Sequence, residues 1–147
     1  MKERPIIFDA ESVRAILEGR KTQTRRVIKP QPALYLSGRR SPVWRNAKNT
    51  GWFSYANESR HSTVEHRCPY GGPGDGLWVK EAWSKDNQPL CLNYKATSHP
   101  SAGFTWAPAE QMPRWASRIT PEVTDVRVEL DAGSWVWVVD FERVTND

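Results

Sequence analysis

Hydrophobic and polar positions change rhythm several times along the chain, and each change marks an element. Residues 5–8 are a short apolar run suited to a strand or an extended lead-in. Asp9 follows where a helix N-cap belongs. Val13, Ile16 and Leu17 then recur at helical spacing, and Gly19 is a good terminator, so the pattern predicts a helix over 10–18. Residues 22–28 alternate and include β-branched side chains, which predicts a strand leaving the Gly19 turn. Periodicity then fades over about 30–73, where Pro and Gly recur between Trp44, Trp52, Phe53 and Tyr55. That stretch is too aromatic for a disordered linker and reads as an irregular packed insertion, with room for a short hairpin over 44–55.

Order returns after the turn signal Gly74-Asp75-Gly76. Residues 77–83 read as a strand, with Leu77, Val79 and Glu81 on one face and Trp78, Lys80 and Ala82 on the other. Residues 90–96 read as a strand able to pair with it. In 123–130, Val123, Asp125 and Arg127 alternate against Thr124, Val126 and Val128. Asp131-Ala132-Gly133 then turns the chain into 134–141, which predicts a terminal hairpin. In the last strand Trp135 and Trp137 oppose Val136 and Val138. One set must face the core, leaving the other exposed or covered by the insertion. Five or more strands and one early helix predict a mainly β (α+β) domain over residues 1–147, a small open β-barrel with mostly antiparallel pairing.

Composition changes this picture in two respects. Eight Trp bring large apolar area, each with one N–H that needs a partner, so burial should be strongly aromatic. The net charge of +4 is modest, but Arg20, Lys21, Arg25, Arg26 and Lys29 lie within ten residues, with Arg39, Arg40, Arg45 and Lys48 soon after. Such crowding favours an anionic partner, nucleic acid being the commonest, over a merely solvated face. Two cysteines, Cys68 and Cys91, make no disulfide framework, and no apolar signal or membrane-length run is present. The expectation is a soluble cytoplasmic protein, a monomer or weak dimer.

Chemistry concentrates in Gly19-Arg20-Lys21-Thr22-Gln23-Thr24-Arg25-Arg26. On a strand Thr22, Thr24 and Arg26 point one way and Gln23 and Arg25 the other, while Lys21 sits at the helix-to-strand corner, able to approach the Thr24 hydroxyl. A Lys beside a Thr lowers the barrier to nucleophilic attack if burial depresses the amine's pKa; otherwise this is a basic strand with Thr chosen for β propensity. His61, His66, Cys68, Cys91 and His99 match no usual zinc spacing, and no metal or cofactor is expected. Gly71 to Gly76 lacks the Gly-Lys-Ser/Thr ending of a phosphate loop. Trp next to Arg, as in Arg114-Trp115 and Trp44-Arg45, suits base stacking.

The first of these segments resembles the Gly-x-Lys-Thr-x-Glu/Thr-x-Arg signature of ASCH domains, relatives of the PUA RNA-binding fold, and it likewise follows a short helix. Gly74-Asp75-Gly76-Leu77-Trp78-Val79 resembles the family's Gly-Asp turn into a barrel strand. Tyr70-Gly71, the strand around Trp78 to Trp83, and Met112-Pro113-Arg114-Trp115 are similar to a phage- and prophage-encoded branch. The resemblance implies a PUA-like open barrel and a cleft between helix and sheet that holds RNA or a modified nucleoside. Arg20, Thr22, Arg25, Arg26, Trp78, Arg114 and Trp115 are the expected contacts. It also implies a second reading, an amidohydrolase acting on acetylcytidine-like nucleosides, with Thr24 as nucleophile, Lys21 as its activator and a Glu completing the site. In similar phage proteins a helical stretch separates the last two strands. Here residues 129–134 join them by a tight turn, and Glu81 becomes the acidic substitute. A third reading is a phage assembly or host-interaction protein that uses the barrel as scaffold.

Overall fold

A computed structural model describes residues 2–32, 44–47, 50–56, 63–85 and 92–144. Arg39, Arg40, Lys48, His61 and Cys91, considered above, lie outside them. The strands in chain order are β1 (Glu3–Ile7), β2 (Gln23–Val27), β3 (Arg45–Asn46), β4 (Trp52–Ala56), β5 (Thr63–Arg67), β6 (Gly76–Lys80), β7 (Trp83–Lys85), β8 (Leu92–Tyr94), β9 (Pro121–Asp131) and β10 (Ser134–Arg143), with one α-helix, α1 (Ala10–Leu17). The mainly β, largely antiparallel α+β class with its early helix is therefore what the chain adopts.

Asp9 caps α1: its carboxylate accepts the Ser12 backbone N–H at 2.8 Å, and that bond holds the carboxyl below its ordinary pKa. Val13 and Ile16, one turn apart, are buried. The helix stops at Gly19, which takes φ +77°, and the next two N–H groups both donate to the Ala15 carbonyl. This tight exit delivers Lys21 to the start of β2.

The main sheet has the order β1-β6-β9-β10-β2, with β1 parallel to β6 and the other pairings antiparallel. It does not close on itself. The Arg26 side chain of β2 reaches across the gap between its two edge strands and donates to the Ile7 carbonyl of β1 at 2.7 Å. The expected terminal hairpin is present, but with a shifted register. Asp140 pairs with Asp125 and Phe141 with Val123, leaving Thr124 over as a bulge. Strict alternation had put Val123 on the face opposite Val126; the extra residue brings both to the core, where both are buried.

Both faces of β10 are covered. On the inner face Trp137 meets Phe53 of β4 edge-on at 5.3 Å, and Trp135 lies 5.9 Å from Trp44, so the insertion shields the Trp set. On the outer face Val138 is fully buried between Arg25 and Arg127, its cross-strand neighbours. Those arginines lie in an ionic ladder: Arg25 with Glu129 and Asp131, and Arg127 with Asp125 and Asp140. Their methylene stems roof the valine while the guanidinium groups reach the carboxylates.

The insertion is more regular than its sequence suggested. β3 and β4 form the short hairpin, and β5 adds a third strand to give a separate sheet. Its β4–β5 hairpin closes by backbone contact against the segment that leads on to β6. A Cβ on Gly51 would sit 2.5 Å from the Gly71 carbonyl oxygen, and the Cys68 N–H donates to the Gly51 carbonyl at 2.7 Å. The run 77–83 also differs from expectation. It breaks after Lys80, and the following strand, β7, pairs with β8 in a two-stranded sheet of its own, so the 92–94 strand does not pair with β6. Just past the break Glu81 keeps the inward phase of Leu77 and Val79 and is buried, which a carboxylate tolerates only with a dedicated partner.

Asp75 fixes the turn into β6. Its carboxylate accepts from Arg4 at 2.9 Å, from the Gly72 N–H at 3.1 Å and from the Lys2 N–H at 3.3 Å. Burial alone would raise this carboxyl's pKa, but the three donors outweigh it and the pKa is lowered. A depressed folded pKa stabilises above the unfolded value of about 4, and that contribution disappears as pH falls through the lowered value. Asp75→Ala is therefore expected to cost about 1–3 kcal/mol at neutral pH and progressively less below about pH 4. Urea unfolding at the two pH values checks this; a constant difference would refute it. Among the described residues no helix is long and apolar enough to cross a membrane.

Candidate functional site

The corner between α1 and β2 gathers cations around an aromatic ring. Thr24 and Arg26 share the inner face of β2, opposite Val139 and Trp137 of β10. Phe8, just beyond β1, packs into the core beside Phe141 at 6.0 Å. The Arg26 guanidinium carbon lies 4.9 Å from the Phe8 ring centre and 5.7 Å from that of Tyr70, and the Lys21 amine stands 5.6 Å from Phe8. Such contacts hold the cations in place while leaving their charge unneutralised. Thr24 is 5 % exposed, and its hydroxyl accepts from the Arg26 Nε at 3.0 Å. Lys21 makes no hydrogen bond to Thr24; its charge is felt by the Asp9 cap.

Arg26 also opens onto a cleft of about 560 Å³ between β2 and the end of β5. Lys29 and Arg67 both line it, the Arg67 guanidinium 5.4 Å from the Trp52 ring centre, with His66, Tyr70 and Trp137 as its aromatic lining and no acidic residue among the described ones. Arg26, Lys29 and Arg67 form no ion pair with a carboxylate among the described residues. Arg4, Arg20, Arg25, Arg114, Arg118 and Arg127 all do. Burial lowers the His66 pKa, so this ring is neutral at pH 7 and adds a flat polar wall, not charge.

The other residues singled out from sequence lie elsewhere. Arg20 is exposed and bound to Glu18, Thr22 is exposed, and Arg25 belongs to the outer ionic ladder. Glu81 is 1 % exposed and takes both Arg118 Nε (3.1 Å) and Nη2 (3.0 Å) on its two oxygens. The Arg118 guanidinium in turn lies 4.0 Å from the Tyr94 ring centre and donates to Thr97. The Glu81 backbone runs beside Phe8, whose N–H donates to the Lys80 carbonyl at 3.1 Å, and both carboxylate oxygens are engaged by Arg118. Trp78 points outward from β6, since its neighbours Leu77 and Val79 are buried, and Lys80 and Arg114 lie 5.6 and 5.9 Å from its ring. Arg114 is tied to Glu3 by two bonds, which lower the Glu3 pKa. Trp115, 62 % exposed, meets Trp83 edge-on at 5.8 Å. These residues form a second aromatic surface on the face away from Phe8.

Phe8, Lys29, His66, Arg67 and Trp137 had not been singled out as site residues. Phe8 ended an apolar run, and Arg67 fell in a segment without readable period. Among the described residues no three His, Cys, Asp or Glu side chains are grouped to hold a metal ion. Compared with protein-family models, curated proteins and solved structures, the chain matches none.

Proposed function

We propose that this protein binds RNA or a modified nucleoside, with an unstacked base held at the Lys21–Thr24–Arg26 corner. One observation carries the reading: two cations free of ion pairs converge on one core aromatic ring, and one of them also lines an open cleft. Unneutralised cations beside aromatic groups are what single-stranded nucleic acid requires, phosphate for the charges and, since Phe8 is buried, the Arg26 plane and the cleft's aromatic lining for the bases. The likeness of Gly19 to Arg26 to the ASCH signature supports the same reading.

Hydrolysis of an acetylcytidine-like nucleoside has less behind it. Attack by Thr24 needs a group to take its proton. The hydroxyl is engaged by Arg26, and the proposed acid, Glu81, is held by Arg118.

Titration with short single-stranded RNA at rising salt tests the proposal. Affinity is expected to fall steeply with salt, and Lys21→Ala to weaken binding about tenfold and flatten the salt slope by about 0.7, leaving the melting temperature unchanged. Salt-independent binding, or none, by the parent protein would sink the reading. Deacetylation of acetylcytidine by the parent but not by Thr24→Ala would replace it with the hydrolytic one.

A further inference from the structure

We propose that the cleft between β2 and β5 is a phosphate subsite, so that the ligand is a nucleotide or an RNA strand and not a free nucleoside; this rests on the base-binding reading above. The cleft's volume, about 560 Å³, falls in the range of about 300–1,000 Å³ usual for small-molecule sites. Among the described residues its charged lining is Arg26, Lys29 and Arg67 without one carboxylate, whereas Arg4, Arg20, Arg25, Arg114, Arg118 and Arg127 are ion-paired. Leaving three like charges around one concavity is unfavourable unless an anion enters it. Tyr70, His66 and Trp137 give the cleft low-dielectric walls, which strengthen each charge-assisted bond to that anion.

Arg26 makes the link to the base corner. Its guanidinium sits between Phe8 and Tyr70, one ring in the corner and the other in the cleft wall. A nucleotide whose base lies on the Arg26–Tyr70 side, Phe8 being buried, puts its 5′-phosphate into the cleft that Lys29 and Arg67 line. The two walls come from different parts of the fold. Lys29 follows β2 of the main sheet, and Arg67 ends β5 of the insertion, so the subsite exists only when the insertion is docked.

The test compares the ribonucleosides with their 5′-monophosphates by calorimetric titration, on the parent and on a Lys29→Ala/Arg67→Ala double variant. Both positions are exposed, and circular dichroism verifies that the variant is folded. The parent is expected to bind at least one monophosphate about tenfold or more tighter than its nucleoside, and the variant to lose that preference while keeping nucleoside affinity. A parent that binds nucleoside and monophosphate equally, or a variant that keeps the preference, overturns the phosphate subsite and leaves base binding standing. If the parent binds neither, base binding fails. Pyrophosphate, followed through the His66 ring signals, then decides the cleft: shifts lost in the double variant support it, and no shift in the parent overturns it.

Discussion

Replacing Arg118 with methionine is expected to destabilise the protein by about 3–5 kcal/mol. Glu81 is almost wholly removed from water, and Arg118 supplies donors to both of its oxygens. Taking the guanidinium away leaves a buried carboxylate with nothing to offset its lost hydration. It also empties the place above the Tyr94 ring and frees the Thr97 hydroxyl. Replacing both partners with apolar side chains of similar volume, Glu81→Leu with Arg118→Met, is expected to recover much of the loss, because the unpaired charge has gone. Urea unfolding of the two single variants and the double variant measures this. Additive losses would show that the pair's mutual dependence is small and the argument mistaken.

Trp137→Ala is expected to cost about 3–5 kcal/mol and, with it, the nucleotide preference. Trp137 is one of two tryptophans through which the main sheet meets the insertion, edge-on to Phe53 while Trp135 packs against Trp44, and it also lines the cleft. Truncation opens a cavity between two sheets that have no strand pairing to hold them together. Trp137→Phe keeps an aromatic edge against Phe53 and is expected to lose much less. Chemical unfolding followed by monophosphate titration checks both effects; a Trp137→Ala protein within about 1 kcal/mol of the parent would refute the assigned role.

Much of the main sheet could be read from residue pattern because its signals are local. Asp9 with Gly19 framed α1, and the Asp131-Ala132-Gly133 turn between two alternating runs announced β9 and β10. The register shift was hidden, since a bulge leaves no mark in composition. The three-stranded insertion was hidden for a different reason. Its strands are short, and it is held by Gly51 against Gly71 and by Phe53 against Trp137, contacts between residues far apart in sequence. The Lys21–Thr24–Arg26 corner stood out as a dense run of unusual side chains. The cleft could not, because Lys29 and Arg67 meet only after the insertion folds back, and nothing near Arg67 in the sequence distinguishes it from a solvated charge.

Thr124 gives the terminal hairpin one residue more than its partner strand can match. Deleting it would leave Asp125 opposite Asp140 and Val123 opposite Phe141 on an unbroken ladder, with Val123 still facing the interior. Loss of one residue is therefore expected to be tolerated at Thr124 and in the two-residue tip at Ala132 and Gly133, and elsewhere along this ribbon to turn core side chains outward. The ribbon thus carries one spare residue, and away from it the count is fixed by geometry.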